Sequence, residues 1–77
     1  MAVIKLELPS NAEREQMVSW LIENVGPLNP QRKASHLAVW GMNWYMKTIL
    51  DRNEGLKFHV VLPDDNIAVM FRLACSK

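Results

Sequence analysis

Polar and apolar residues alternate near the start of the chain, from position 3 to position 8. One side of this segment is apolar through Ile4, Leu6 and Leu8. A period of two is the spacing of a β-strand with one buried face, and Pro9 cannot extend the strand's hydrogen bonding. The alternation therefore predicts a first strand over residues 3–8.

The next segment has the spacing and the end signals of a helix. Ser10 and Glu13 form a capping-box pattern, in which a hydroxyl and a carboxylate reciprocally accept from first-turn backbone N–H groups. The apolar stripe, whose members are three, four and seven positions apart, consists of Val18, Leu21, Ile22 and Val25, with Met17 at its edge. Gly26 suits a left-handed cap, and Pro27 cannot continue a helix. We predict an amphipathic helix from residue 11 to residue 25.

The middle of the chain supports two interpretations. Asn29 and Pro30 have the preferences of a helix start and predict a turn or two over residues 31–36. Beyond them, alternation would turn one set of side chains inward: Ala38, Trp40, Met42, Trp44, Met46 and Thr48. The helical alternative would align Val39, Met42, Met46 and Ile49. Gly41 and the aromatic, β-branched composition favour one strand over residues 38–49.

The last third of the chain predicts a hairpin turn, a strand and a helix. Residues 51–55 suit a turn, with Gly55 at a positive φ angle. The strand over 56–62 would turn Phe58, Val60 and Leu62 inward and Lys57, His59 and Val61 outward. After Pro63 the spacing of Ile67, Met70, Phe71 and Ala74 is helical, although that of Ile67, Val69, Phe71 and Leu73 suits a strand. Acidic Asp64 and Asp65 at the start, with Arg72 and Lys77 near the end, favour the helix.

These elements predict a single α+β domain over residues 1–77, in the order β-α-β-β-α. Three strands, some of them antiparallel, would form a sheet covered on one face by both helices, with the opposite face open. If the last segment is a strand, the fold becomes a β-α-β-β-β meander. Of the 77 residues, 49% are apolar, which is enough for one core.

Charge and cysteine content narrow the environment of the protein. A net charge of +1 gives no overall attraction to nucleic acid or to anionic membranes. The only cysteine, Cys75, excludes an internal disulfide and a cysteine zinc site. The N-terminus lacks a signal-peptide pattern, and no apolar run is long enough to span a bilayer. We expect a complete, cytoplasmic protein that does not bind membranes.

The residues that carry enzyme chemistry form no recognisable constellation. His36 falls in a polar linker and His59 on an outer strand face, and Asp64 with Asp65 is better explained as a helix cap than as a metal site. Cys75 lies too near the end of the chain for a shaped pocket. We therefore expect no catalytic residue, no cofactor and no metal.

Trp20 is the first candidate for partner binding. The helical projection places it away from the apolar stripe, among Glu13, Gln16 and Glu23. An exposed tryptophan on a polar helix face is typical of a protein-binding anchor. The alternative is that the 29–37 linker or a wider apolar face covers it. For Trp40 and Trp44 we expect core packing, with Gly41 between them allowing a helix to approach.

The open sheet face is a second candidate site, for nucleic acid. Its potential members are Lys5, Lys47, Lys57, His59 and Tyr45, with Arg32 and Lys33 in the nearby linker. Sheets that bind RNA stack bases on several aromatic side chains, whereas this face offers only Tyr45, and Glu7 reduces its charge. A solvated face without a ligand is the alternative.

Two segments resemble parts of small, uncharacterised accessory proteins of tailed bacteriophages. One is Met17-Val-Ser-Trp-Leu-Ile-Glu-Asn24 after a strand, and the other is Asp64-Asp65-x-x-Ala68-x-x-Phe71-x-Leu73. The resemblance implies a protein in the host cytoplasm that binds a host or phage component, and it transfers no catalytic residue. Our leading hypothesis is a non-enzymatic module that modulates or inhibits a larger enzyme or complex. Nucleic-acid binding is one alternative, and homodimerisation through exposed strand edges or the Trp–Met strand is another.

Overall fold

The computed structural model describes residues 1–35 and 37–75, which form four strands and two helices. The elements are β1 (Ala2–Leu6), α1 (Asn11–Asn24), β2 (Ala38–Gly41), β3 (Trp44–Asp51), β4 (Gly55–Leu62) and α2 (Asp65–Cys75). The strands form one antiparallel sheet in the order β1-β4-β3-β2. The predicted α+β domain is confirmed, but its sheet has four strands instead of three. His36 and Lys77, considered above, lie outside the described residues.

The additional strand arises because residues 38–51 form a hairpin. Gly41 and Trp44 are cross-strand partners on either side of a turn at Met42 and Asn43. Asn43 has a φ of 73°, and asparagine is one of the few residues that adopt this left-handed conformation readily. The prediction of one continuous strand over 38–49 is therefore wrong.

The turn puts the two hairpin tryptophans on opposite faces of the sheet. Trp44 and Met46 are buried in the core, as predicted. Trp40 instead pairs with Tyr45 on the other face, and Met42 is exposed at the turn. The inward placement of Trp40 and Met42 is wrong because an alternation with period two does not continue through a hairpin turn.

Two glycines allow close packing around the hairpin. The Trp44 indole lies where a Cβ atom on Gly41 would be, and its Nε1 donates to the Gly26 carbonyl oxygen at 2.8 Å. Gly41 therefore makes room for the Trp44 side chain, and the expectation that a helix approaches there is wrong. Gly26 is not a left-handed cap, since the described residues have positive φ only at Asn43 and Gly55. Gly26 instead accommodates the Met42 backbone, whose carbonyl oxygen approaches where a Cβ would lie.

The core lies between one face of the sheet and the two helices. Its buried members include the predicted Ile4, Leu21, Phe58, Val60, Leu62 and Phe71, together with Met17, Val39, Trp44 and Met46. Ile22, expected in the stripe of α1, is exposed, whereas Met17 is buried. The buried side of α1 is therefore turned toward α2, against which this helix packs. Leu8, also expected inward, follows the end of β1 and is exposed.

The predicted helix ends and hairpin turn are largely confirmed. Ser10 and Glu13 form the capping box, and the Asp64 carboxylate accepts from the backbone N–H of Ile67 at 2.9 Å. The segment after Pro63 is a helix, and Gly55 has a φ of 81°. The short helix expected after Pro30 is only a turn in the described residues. Neither helix in the described part of the chain is both long and apolar enough to cross a bilayer.

Candidate nucleic-acid interface

The sheet face opposite the helices, here called the outer face, is crossed by two rows of paired side chains. The aromatic row consists of Val3, Val61, Tyr45 and Trp40, from β1 to β2. The second row, two residues away on each strand, consists of Lys5, His59, Lys47 and Ala38, and is called the cation row after its two lysines. Paired residues of an antiparallel sheet point to the same face, so each row is continuous across the four strands.

The aromatic row contains a stacked pair with cations against it. The rings of Trp40 and Tyr45 lie 4.7 Å apart with an interplanar angle of 27°. The Arg32 guanidinium carbon lies 4.4 Å from the Trp40 ring centroid, and Lys47 Nζ lies 5.6 Å from that of Tyr45. Both rings are partly exposed, and neighbouring Val61 is only 5% exposed. The face therefore offers an apolar aromatic platform bordered by positive charge.

The connector between α1 and β2 positions Arg32. The backbone of Pro27 and Asn29 pairs along the edge of β2, with the Asn29 N–H donating to the Trp40 carbonyl oxygen at 3.0 Å. The Asn29 side chain then accepts from the Gln31 N–H at 2.9 Å, which reverses the chain. This turn brings the Arg32 side chain over the Trp40 ring, where a cation is attracted by the π face.

The cation row has no acidic member. Lys5, His59 and Lys47 occupy adjacent strands about 4.8 Å apart, so the backbone positions at its ends are about 10 Å apart. The row beyond it, two residues further from the aromatic row, contains Lys57. The Nζ atom of Lys57 lies 3.2 Å from the Glu7 carboxylate. Such an exposed ion pair contributes little to stability, but it balances the charge of Lys57. Asp51 attracts Lys5 as well as Lys57, so among the lysines of these two rows it is Lys47 that has no carboxylate identified beside it in the described part of the chain.

Charge is also separated between the two sides of the molecule. The helices and the Asp64 cap carry five acidic and two basic side chains, a net charge of −3. The strands and connectors of the described residues carry six basic and three acidic side chains, a net charge of +3. An overall charge near zero thus combines negatively charged helices with positively charged strands and connectors.

Most residues of the predicted nucleic-acid site are brought together. Tyr45, Lys5, Lys47 and His59 lie in the two rows, Lys57 lies in the adjacent row, and Arg32 reaches the platform from the connector. Lys33 is exposed in that connector. Trp40, the second aromatic residue of the platform, was predicted to lie in the core and not on this face. The signal that could have revealed it is Gly41-Met42-Asn43, whose glycine and asparagine favour a tight turn.

The predicted protein-binding surface on α1 lacks an exposed aromatic anchor. Trp20 is partly buried and packs edge-to-face on Phe71, with ring centroids 5.6 Å apart and an interplanar angle of 71°. Helix α2 therefore covers part of Trp20, which agrees with the alternative of a wider apolar face on α1. Glu13 belongs to the capping box, whereas Gln16 and Glu23 are exposed. The remaining members of this surface are polar.

The other residues weighed for chemistry have local roles. Asp64 caps α2, and no group of three or more His, Cys, Asp and Glu side chains within the described residues is arranged to hold a metal ion. Partial burial raises the pKa of the Cys75 thiol, which disfavours the nucleophilic thiolate at neutral pH. Cys75 borders a cleft of about 540 Å³ between the end of β1 and the two helices.

Comparison with protein-family models, curated proteins and solved structures gives no significant match. Functional inference therefore depends on the geometry and the charges of the outer face.

Proposed function

We propose that this protein binds single-stranded nucleic acid on the outer face of its sheet. The observation that carries the proposal is the stacked Trp40 and Tyr45 pair next to the row of Lys5, His59 and Lys47. Proteins that bind single strands combine aromatic rings, on which bases stack, with cations that follow the phosphates. Both groups occur here in adjacent rows of one sheet.

Arg32 supports this proposal because a nucleobase can occupy the place on the Trp40 ring where the Arg32 guanidinium now lies. Its guanidinium is planar and lies against the Trp40 ring. A nucleobase that replaces it keeps a stacking partner on Trp40 and leaves Arg32 free to contact a phosphate. Base stacking on an aromatic side chain contributes roughly 1–3 kcal/mol, so even one stacked base gives measurable affinity.

The test is fluorescence anisotropy with labelled oligothymidylate and oligouridylate, measured between 50 and 300 mM salt. We expect binding that weakens with salt, and weaker binding for Lys47→Gln and Arg32→Gln. Arg72→Gln is the matched control, because it removes one cation from exposed α2 on the other side of the molecule. Absence of binding to both probes at 50 mM salt would refute the proposal, as would an equal loss in the control.

A protein partner is the second candidate, favoured by apolar side chains at the tip of the β3–β4 hairpin. Leu50 and Leu56 are cross-strand partners on the helix side of the sheet, yet they are 75% and 51% exposed. A modulator of a larger enzyme or complex would bind through such a surface and not through Trp20. Loss of a co-purifying protein in Leu50→Asp but not in Leu37→Asp, which replaces an exposed leucine elsewhere, would support it.

A further inference from the structure

The geometry points to a ligand strand that runs across the β-strands and has a footprint of about three or four nucleotides. In the arrangement that we propose, phosphates follow the cation row from Lys5 through His59 to Lys47, and bases lie on the aromatic row beside it. This inference rests on the proposed function and specifies the path of the ligand on the same face.

The spacing of the rows matches the two parts of a nucleotide. Residues two apart on a strand are about 7 Å apart, so Tyr45 and Lys47 can contact the base and the phosphate of one nucleotide. The cation row spans about 10 Å. Even at the axial rise of about 3.4 Å per nucleotide of a fully stacked strand, it accommodates no more than about three or four phosphates. The width of the sheet therefore sets the length of the footprint.

Acidic side chains would repel the phosphates of a ligand that ran along the β-strands instead of across them. Moving along β4 from His59, the next outward residue is Lys57, which is paired with Glu7. Beyond it, Asp51 and Glu54 line the same depression as Lys5 and Lys57. Backbone hydrogen bonds from Asn53 and Glu54 lower the pKa of Asp51, so its carboxylate is charged at neutral pH. Phosphates that followed β4 would meet these carboxylates.

On the side of the aromatic row that faces away from the cation row, the surface has a depression lined by uncharged side chains. A depression of about 350 Å³ opens there between Met1, Tyr45 and Val61, with Asn43 at its rim. An unstacked base can enter this apolar space, whereas a phosphate would lose solvation without gaining a counterion. Bases on this side and phosphates on the other fix the orientation of the ligand across the row.

The first test compares two lysines that flank His59. Lys5→Gln and Lys57→Gln remove the same charge from the same face, but only Lys5 lies in the cation row. With a salt slope of about 0.7 per phosphate contact, losing one contact weakens binding roughly fivefold to tenfold at 50 mM salt. We expect this loss for Lys5→Gln and less than about twofold for Lys57→Gln. The reverse order would indicate a path along β4 and overturn the inference.

The second test measures the footprint with oligothymidylates of increasing length. We expect affinity to rise steeply up to about four nucleotides and then only with the number of possible registers. Phosphate contacts by Lys5, Lys47 and Arg32 should give a salt slope of about −2. A steep rise continuing to eight nucleotides, or a slope beyond about −4, would overturn the short crossing path. These results differ from failure of the proposed function, in which no oligonucleotide of any length binds.

Discussion

Replacing Gly41 with alanine tests the packing that separates the two faces of the β2–β3 hairpin. The Trp44 indole occupies the position that the new methyl group requires, and Trp44 is only 2% exposed. The ring must therefore move within a closed core, and its hydrogen bond to the Gly26 carbonyl oxygen is lost or lengthened. A shift of this ring would also disturb the strand that presents Trp40 and Tyr45 on the outer face.

The expected cost follows from these two effects. Overpacking a core position costs about 1–3 kcal/mol, and a lost indole hydrogen bond costs about 0.5–1.5 kcal/mol. Gly41→Ala should therefore lower the free energy of unfolding by roughly 2–4 kcal/mol. A domain of this size has a total of only about 4–12 kcal/mol, so the loss is a large fraction of its stability.

Urea denaturation followed by circular dichroism measures this loss. Gly55→Ala is the matched control, since no atom lies within 4 Å of a Cβ there and only the cost of its φ of 81° remains. That cost is about 1–2 kcal/mol, smaller than the value for Gly41→Ala. In a double-mutant cycle, Trp44→Leu should relieve part of the Gly41→Ala penalty. A Gly41→Ala variant as stable as the wild type, or strictly additive with Trp44→Leu, would refute the packing described here.

Three further predictions concern other parts of the molecule. Trp20→Ala should lower the free energy of unfolding by about 1–3 kcal/mol in urea denaturation, because the ring packs on Phe71; an unchanged stability would mean that Trp20 is solvent-exposed after all. Because backbone hydrogen bonds lower the pKa of Asp51 in the folded state, its contribution to stability should be complete above the unfolded-state pKa and lost as the pH falls through the lower folded-state pKa. Thermal melts between pH 7 and pH 2.5 should therefore show a smaller acid-induced decrease for Asp51→Asn than for the wild type, and identical pH profiles would contradict this. Cys75, whose pKa is raised by burial, should react with iodoacetamide at pH 8 more slowly than in the urea-unfolded chain, and equal rates would argue against its burial.

The elements with explicit end signals could be predicted from the sequence. Ser10 with Glu13 defines the start of α1, Asp64 defines that of α2, and Gly55 has the positive φ expected in its turn. In each case the signal is local, since a side chain or a missing Cβ satisfies the backbone of its own turn. Such signals do not depend on the rest of the fold.

The faces of the hairpin and of α1 could not be predicted in the same way. Alternation from residue 38 to 48 looks continuous, and only the left-handed Asn43 reverses the chain and turns Trp40 outward. Trp20 lies apart from the apolar stripe in a helical projection, yet α2 packs against that side and covers it. Both differences arise from tertiary contacts, which a periodicity does not contain.

The outward position of Trp40 also changes the functional interpretation. With Trp40 in the core, the open face has one aromatic side chain and little reason to bind bases. With Trp40 stacked on Tyr45 and covered by Arg32, the same face has the composition of a single-strand binding surface. The choice between the protein-binding and the nucleic-acid-binding hypothesis therefore depends on the tight turn at Met42 and Asn43.

The most direct test of the proposed interface is an amide chemical-shift titration of the ¹⁵N-labelled protein with a six-nucleotide oligothymidylate at low salt. We expect the largest shifts to map to the two rows of the outer face, including Tyr45, Lys47 and His59, and the Trp40 indole N–H signal to move. Residues of α1 and α2 should change little. Shifts confined to the helices, or a spectrum unchanged at millimolar oligonucleotide, would contradict it.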